Sequence, residues 1–239
     1  SNPTGVTYSD EVVERLAGMQ TKAADFRIFW DNAYAVHHLS DQPDELLDIL
    51  TACKRAGNPD RVLLFGSTSK ISFAGAGLAL MGGSRENIEF TLGQMFYQTI
   101  GPDKLNQLRH VRFFKDLEGV RRHMRKHAAI LKPKFDAVQA ILERELGGKN
   151  VADWSQPAGG YFLSANTLDG CAQVVVDMAA EAGVKLTPAG ATYPYRTDPR
   201  NRNLRIAPSF PSLGEIQTAM EVVAICIQVA GIDKLLAGR

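Results

Sequence analysis

The sequence predicts an α/β fold with a mainly parallel sheet, followed by a small α+β domain. In the first part, apolar runs that suit strands alternate with amphipathic stretches that suit helices, as in parallel sheets. From about Arg85 the pattern becomes mostly helical, and beyond residue 150 short strands mix with helices. We therefore predict one domain over residues 1–125 and a second over residues 126–239.

The composition is that of an ordinary globular protein. Apolar residues make up 45% and charged residues 22% of the chain, and the formal net charge is +1, so we expect neither nucleic acid nor a membrane as partner. No apolar run approaches the ~18 residues that a membrane-spanning helix needs. The three cysteines are widely spaced, which predicts buried thiols in a reducing compartment, the cytoplasm.

The first predicted domain alternates helices and strands. Its elements are a helix at 9–24, a strand at 26–30, a helix at 43–55, and strands at 61–65 and 78–81. Parallel sheets place ligands at the carboxyl ends of their strands. Four polar residues follow predicted strands and should meet in one crevice: Asp31, Tyr34, Ser67 and Lys70.

The second part of the chain is predicted to begin with helices. These lie from Arg85, around 104–111, and over 117–146 with an interruption or bend near Pro133. Beyond them we predict strands at 160–164, 184–186 and 204–207, and helices at 171–182 and 212–230.

The segment from Ser67 to Gly77 has the composition of a ligand-binding loop. It carries Lys70 among hydroxyl residues after an apolar strand. Burying a lysine at the end of a strand costs free energy, because burial disfavours its charged form. The neutral amine is a better nucleophile, so a lysine at such a position favours a chemical role. Neighbouring hydroxyls and backbone N–H groups suit a phosphate. Together they predict pyridoxal phosphate (PLP), bound as a Schiff base.

Three other interpretations of this segment stay open on the residues alone. Lys70 could be a surface lysine in a polar turn. Ser67-x-x-Lys70 matches the motif of serine β-lactamases, although that motif opens a helix and its S-D-N and K-T-G companions are absent from the sequence. Gly75-x-Gly77 could bind a dinucleotide, but the third glycine of that fingerprint is missing.

Four motifs together resemble the fold type I PLP-dependent aminotransferases of the aspartate aminotransferase superfamily. They are Asn2-Pro3-Thr4-Gly5, Asp31-x-x-Tyr34, Ser67-x-x-Lys70 and Asn203-Leu204-Arg205. The sequences of residues 67–77 and 203–209 resemble those of the MocR-like branch, also called type Ic. The resemblance covers essentially the whole chain as the C-terminal portion of a longer one. It implies that 1–125 is the C-terminal part of the PLP-binding large domain and 126–239 the small C-terminal α+β domain.

The resemblance also implies roles at the cofactor. Lys70 would be the catalytic residue, forming the Schiff base and carrying a proton between substrate and cofactor. Asp31 would face the pyridine nitrogen and keep it protonated, although an aspartate after a strand is often a helix cap. Tyr34 and Asn2 would hydrogen-bond the phenolic oxygen of PLP, although Tyr34 could be a packed aromatic residue. His37-His38 has no partner ligands in spacing, and no metal is expected.

The phosphate and the substrate would be held by further residues. By resemblance, Ser67 contacts the phosphate, and Arg205, assisted by Asn2, binds the substrate α-carboxylate bidentately. Most relatives have an arginine eight residues after the lysine, where this chain has Leu78. Ser69, or residues outside this chain, would then meet part of the phosphate charge.

The function implied is amino-group transfer from an amino acid, first of all aspartate, to a 2-oxo acid, first of all 2-oxoglutarate, in a cytoplasmic homodimer. The alternative is a non-catalytic or regulatory aminotransferase-like domain, as in MocR-type transcription factors.

Overall fold

A computed structural model describes residues 2–40 and 42–238. The chain divides into two compact units. We call the first the lysine unit, formed by Thr7–Val36 and Asp44–Arg125, and the second the arginine unit, formed by Ser1–Val6, His37–Pro43 and Lys126–Arg239. Two short N-terminal segments therefore group with the C-terminal part of the chain.

The lysine unit is built on a three-stranded sheet. Its strands are β1 (Ile28–Asp31), β2 (Val62–Ser67) and β3 (Ala79–Gly82), in the order β1-β2-β3. β1 and β2 are parallel, as predicted, with Asp31 opposite Phe65. β2 and β3 are antiparallel, so the prediction of a mainly parallel sheet is wrong for this pair. The connection at 68–78 is shorter than the dozen or more residues that a parallel crossover needs.

Two helices cover one face of this sheet. α1 (Asp10–Gly18) begins at Ser9, whose hydroxyl accepts from the Val12 N–H, and α2 (Ile49–Arg55) begins at Asp48. Both are shorter than predicted, because Gly18 ends α1 and the Asp48 carboxylate caps α2 well after Pro43. Their apolar sides form one core with the sheet, which includes Val13, Trp30, Ile49 and Val62.

Three more helices follow: α3 (Arg85–Thr99), α4 (Lys104–Phe114) and α5 (Leu117–Leu146). α5 is a single helix with Pro133 inside it, so no interruption occurs there. Its first residues belong to the lysine unit, where Val120 and Met124 pack with Ile71 and Phe114. α3 buries none of its residues.

The arginine unit is built on an antiparallel sheet. Its strands are β4 (Ala152–Trp154), β5 (Leu163–Thr167) and β6 (Asn203–Ile206), in the order β4-β5-β6. α6 (Ala172–Glu181), α7 (Leu213–Ala237) and the second part of α5 share one apolar core with this sheet. Leu142, Leu163 and Val223 are completely buried in that core.

Two predictions for this unit need correction. Residues 184–186 are not a strand, although Val184 and Leu186 still pack against the core, which explains their apolar character. β4 is a strand that was not predicted, because its three residues are too few to show an alternating pattern. Within the described ranges, no helix is long and apolar enough to cross a membrane.

Candidate active site

Five of the predicted site residues lie at one edge of the lysine unit. Asp31 ends β1 and Ser67 ends β2, and because the two strands are parallel, their carboxyl ends share that edge. The Asn32 N–H donates to the Phe65 carbonyl at 2.8 Å and extends the pairing by one residue. Asp31 is exposed and is followed by a turn, not a helix, so its carboxylate is not a helix cap.

Lys70 lies in the turn that follows β2. The amides of Ile71 and Ser72 both donate to the Thr68 carbonyl, at 2.9 and 2.8 Å, and close this turn. Lys70 Nζ lies 5.0 Å from the centroid of the Tyr34 ring, a distance suited to a cation–π contact. The lysine is exposed, so the prediction that it is buried at a strand end is wrong. No helix begins at Ser67, as the β-lactamase interpretation requires.

Two serines and a glycine form a small polar cradle next to Lys70. The Ser69 N–H donates to Ser67 Oγ at 3.1 Å, and the two hydroxyl oxygens are 2.9 Å apart. Gly77 approaches this pair closely: a Cβ placed on it would lie 2.9 Å from Ser69 N and 3.1 Å from Ser69 Oγ. A side chain at position 77 would therefore fill the cradle.

The backbone of Leu78 is paired with Thr68 at the base of the cradle. Thr68 N–H donates to the Leu78 carbonyl at 2.9 Å, and Leu78 N–H donates to Thr68 Oγ1 at 2.7 Å. Position 78 thus closes the loop through its main chain and supplies no cation. Local residue patterns do not reveal which residues hold this loop from outside. The structure shows two on α4, Asn106 and His110.

The remaining two predicted residues meet in the arginine unit. Arg205, on β6, donates from Nη1 to Asn2 Oδ1 at 3.1 Å. Its guanidinium carbon lies 4.5 Å from the centroid of the Phe162 ring, a contact that was not predicted because Phe162 precedes a different strand. Arg205 Nε is buried without a hydrogen-bond partner in the part of the chain that is described. A buried donor left in this way favours an anionic ligand.

A carboxylate orders the turn that leads into β6. Asp198 accepts from the backbone N–H groups of Arg200, Arg202 and Asn203, at 2.9, 2.7 and 2.9 Å. Burial alone would raise the pKa of Asp198, but these donors outweigh it and hold the pKa below its ordinary value of 3.8. The turn is therefore fixed most firmly when Asp198 is ionised.

A family model described as aspartate aminotransferase matches residues 1–239. The chain belongs to the aspartate aminotransferase family. This confirms the family resemblance drawn from the four motifs. An aspartate aminotransferase of Corynebacterium glutamicum is 50% identical over 233 residues, which is 98% of this chain and 54% of that protein.

Solved structures of aminotransferases contain the same fold. The crystal structure of an aspartate transaminase from Corynebacterium glutamicum matches with a TM-score of 0.95 and 50% identity, over 98% of this chain and 55% of that one. A multiple substrate aminotransferase from Thermococcus profundus matches with a TM-score of 0.79 at 21% identity, over 96% and 54%. The chain thus spans about half the length of these family members.

Proposed function

We propose that the full-length protein is a PLP-dependent aminotransferase that moves an amino group from an amino acid to a 2-oxo acid. Aspartate and 2-oxoglutarate are the first pair to test. The observation that carries this proposal is the meeting of Lys70, Tyr34, Asp31 and Ser67 at one strand edge in a chain of the aspartate aminotransferase family. The sequences of residues 67–77 and 203–209 support placement in the MocR-like branch.

The residues of the lysine unit fit PLP. An amine, a carboxylate, a phenol and two serine hydroxyls lie at the same edge of the sheet. The amine suits the aldehyde of PLP, the carboxylate its pyridine nitrogen, the phenol its ring oxygen, and the hydroxyls its phosphate. Gly77 lies close to Ser69 but has no side chain, so the cradle stays open for a phosphate. Leu78 offers no charge there, so neutral donors carry this chain's share of the phosphate contacts.

Each side chain has a definite task in this proposal. When bound, PLP supplies a conjugated ring that accepts the electron pair released at the substrate Cα. Lys70 Nζ attaches the cofactor and later moves the Cα proton. The Asp31 carboxylate holds a proton on the pyridine nitrogen by its negative charge. Ser67 and Ser69 bind the phosphate, and Tyr34 donates its phenolic hydrogen to the oxygen on the ring.

Substrate binding is assigned to the arginine unit. The Arg205 guanidinium is oriented by the Phe162 face and by Asn2, and its planar fork suits a bidentate contact with an α-carboxylate. The buried Nε of Arg205 provides the second donor of such a contact. Asn2 then serves the substrate side through Arg205 in addition to its proposed contact with the cofactor.

Two further features of the whole protein belong to this proposal. Large apolar side chains on α3 are exposed, among them Phe90 (70%), Phe96 (61%) and Tyr97 (87%), which supports burial against further protein surface. The rest of the full-length protein and a second copy in the proposed homodimer are the two sources of that surface. Cys53, Cys171 and Cys226 are buried free thiols, which supports a reducing compartment, the cytoplasm.

An absorbance experiment separates this function from a regulatory domain that keeps the fold. Adding aspartate to the full-length, PLP-loaded protein without a 2-oxo acid should convert the cofactor band to that of its aminated form, and 2-oxoglutarate should restore it. A bound cofactor that none of the common amino acids converts would favour the regulatory alternative.

A further inference from the structure

The loop that carries Lys70 is held by polar side chains of α4. Asn106 and His110 lie one helical turn apart on the same face of this helix, and they contact opposite ends of the loop. Asn106 is buried (7% exposed), and its Nδ2 donates to the Gly77 carbonyl at 2.9 Å. His110 contacts the other end, at Thr68 and Ser72.

The contacts of His110 fix the position of one ring proton. Nδ1 lies 2.8 Å from the Asn106 carbonyl oxygen, which can only accept, so Nδ1 must carry a hydrogen. Nε2 then faces two hydroxyls, Ser72 Oγ at 2.7 Å and Thr68 Oγ1 at 3.1 Å. Since the Leu78 N–H donates to the same Thr68 oxygen, His110 is joined to both ends of the loop.

A second histidine contacts the middle of the loop from α5. His123 Nε2 donates to the Ile71 carbonyl at 2.9 Å, directly after Lys70. Both histidine rings also pack on Phe114, with centroid distances of 5.9 and 5.5 Å, and Phe114 is buried. The two rings are thus supported by a common apolar side chain while they hold different groups of the loop.

We propose that His110, with its proton on Nδ1, is a positioning residue that fixes the turn at Thr68–Ser72 and thereby the place of the Lys70 amine. This inference rests on the proposed function only for its catalytic consequence. The claim that His110 positions the loop does not depend on the proposed function. Backbone hydrogen bonds to the Thr68 carbonyl and the His123 contact also hold this turn. His110 adds side-chain contacts to Thr68 and Ser72, on either side of the lysine, so the loss of these contacts should loosen the turn. His110 touches no substrate atom in this account and acts through the loop.

The test uses two substitutions of His110 and one matched control in the full-length protein. His110→Leu keeps apolar bulk against Phe114 but removes both ring nitrogens. His110→Gln keeps an oxygen that can accept from Ser72. Gln107→Leu is the control, because Gln107 is an exposed residue of the same helix.

Hydrogen exchange in the cofactor-free protein gives the first readout. In His110→Leu we expect the amides of residues 68–78 to exchange at least about 10-fold faster than in the wild type, because the Thr68 and Ser72 contacts are gone. His110→Gln should recover most of the protection, and Gln107→Leu should not change it. Unchanged exchange of 68–78 in His110→Leu would overturn the proposal, whatever the protein's activity.

Nitrogen NMR of the histidine rings gives the second readout. Nδ1 of His110 should be protonated at neutral pH, and a ring protonated only at Nε2 would contradict the geometry. In the loaded protein, His110→Leu should lower kcat by about 10-fold with little change in KM, since a displaced amine slows proton transfer more than binding. If exchange rises as expected but no amino acid reacts even with the wild type, the loop assignment stands and the proposed function fails.

Discussion

Lys70 and Tyr34 meet at the carboxyl-terminal edge of the parallel pair β1–β2, with the lysine Nζ 5.0 Å from the centroid of the phenol ring. The contact joins residues that follow two different strands, so it depends on the register of the sheet. That register pairs Asp31 with Phe65, two residues before Ser67. The sheet thus brings Tyr34, Asp31 and the beginning of the Lys70 turn to the same edge.

Lys70→Ala should abolish covalent attachment of the cofactor and lower turnover by about 10²–10⁴-fold or more, because the nucleophile and the proton carrier are lost together. Stability should change little, since the side chain is exposed. Steady-state kinetics and a thermal melt check both statements. Lys54→Ala, an exposed lysine on α2, is the control and should leave both values unchanged. Near-normal transamination in Lys70→Ala would refute the assignment.

Asp31→Asn should reduce kcat by about 10²-fold or more, because it removes the carboxylate charge that keeps the pyridine nitrogen of PLP protonated. Without that proton, the pyridine ring withdraws electrons from the substrate less strongly. The folded structure should tolerate the change, since among the described residues Asp31 Oδ1 accepts from the nearby Ala33 N–H, a role that an asparagine oxygen can keep. Kinetics combined with a melting curve separates the two effects. A variant with normal kcat would show that Asp31 does not face the pyridine nitrogen.

Gly77→Ala should weaken PLP binding, because the new methyl group would lie 2.9 Å from Ser69 N and force the phosphate cradle to shift. Overpacking of this kind costs about 1–3 kcal/mol. Titration with PLP and a denaturant melt are the measurements. Gly18→Ala is the matched control: Gly18 lies at the end of α1 with nothing within 4 Å of the added Cβ, and this variant should bind PLP normally. Equal affinity in both variants would speak against a phosphate at Ser69.

Arg205→Lys should raise the KM for the amino donor and lower kcat/KM by about 10–100-fold, since an ammonium group cannot make the bidentate contact or stack on Phe162 in the same way. PLP affinity should stay the same. The comparison variant is Arg200→Lys, an exposed arginine paired with Asp169. If Arg205→Lys lost PLP and kept its KM, Arg205 would belong to the cofactor and not to the substrate.

Asp198→Asn should destabilise the protein by about 1 kcal/mol near neutral pH, because the turn before β6 loses a charged acceptor. The pKa of Asp198 is lowered in the folded state, so its contribution is complete above the ordinary value of 3.8 and is lost as pH falls through the lower, folded value. The wild type and the variant should therefore converge on acidification. Denaturant melts at pH 6 and pH 3 test this, and a constant difference would contradict it.

Local signals predicted the helix starts at Ser9 and Ser212. Hydroxyl caps depend on residues three positions apart, so the sequence shows them directly. The roles of the seven predicted site residues stay predictions: the structure places five of them in the lysine unit and two in the arginine unit. The exposure of Lys70 could not be predicted, because it depends on which elements cover the turn. His110 is 38 residues from Ser72, and their contact exists only once α4 packs beside the loop.

The most direct test is chemical trapping of the cofactor on the full-length protein. Borohydride reduction of the PLP-loaded protein, digestion and mass spectrometry should locate the pyridoxyl phosphate group on the peptide that contains Lys70, in near-stoichiometric amount. Lys70→Ala should show no such modification at any lysine above background. Stoichiometric labelling of a different lysine, or none in a protein that transaminates, would contradict the central claim that Lys70 holds the cofactor.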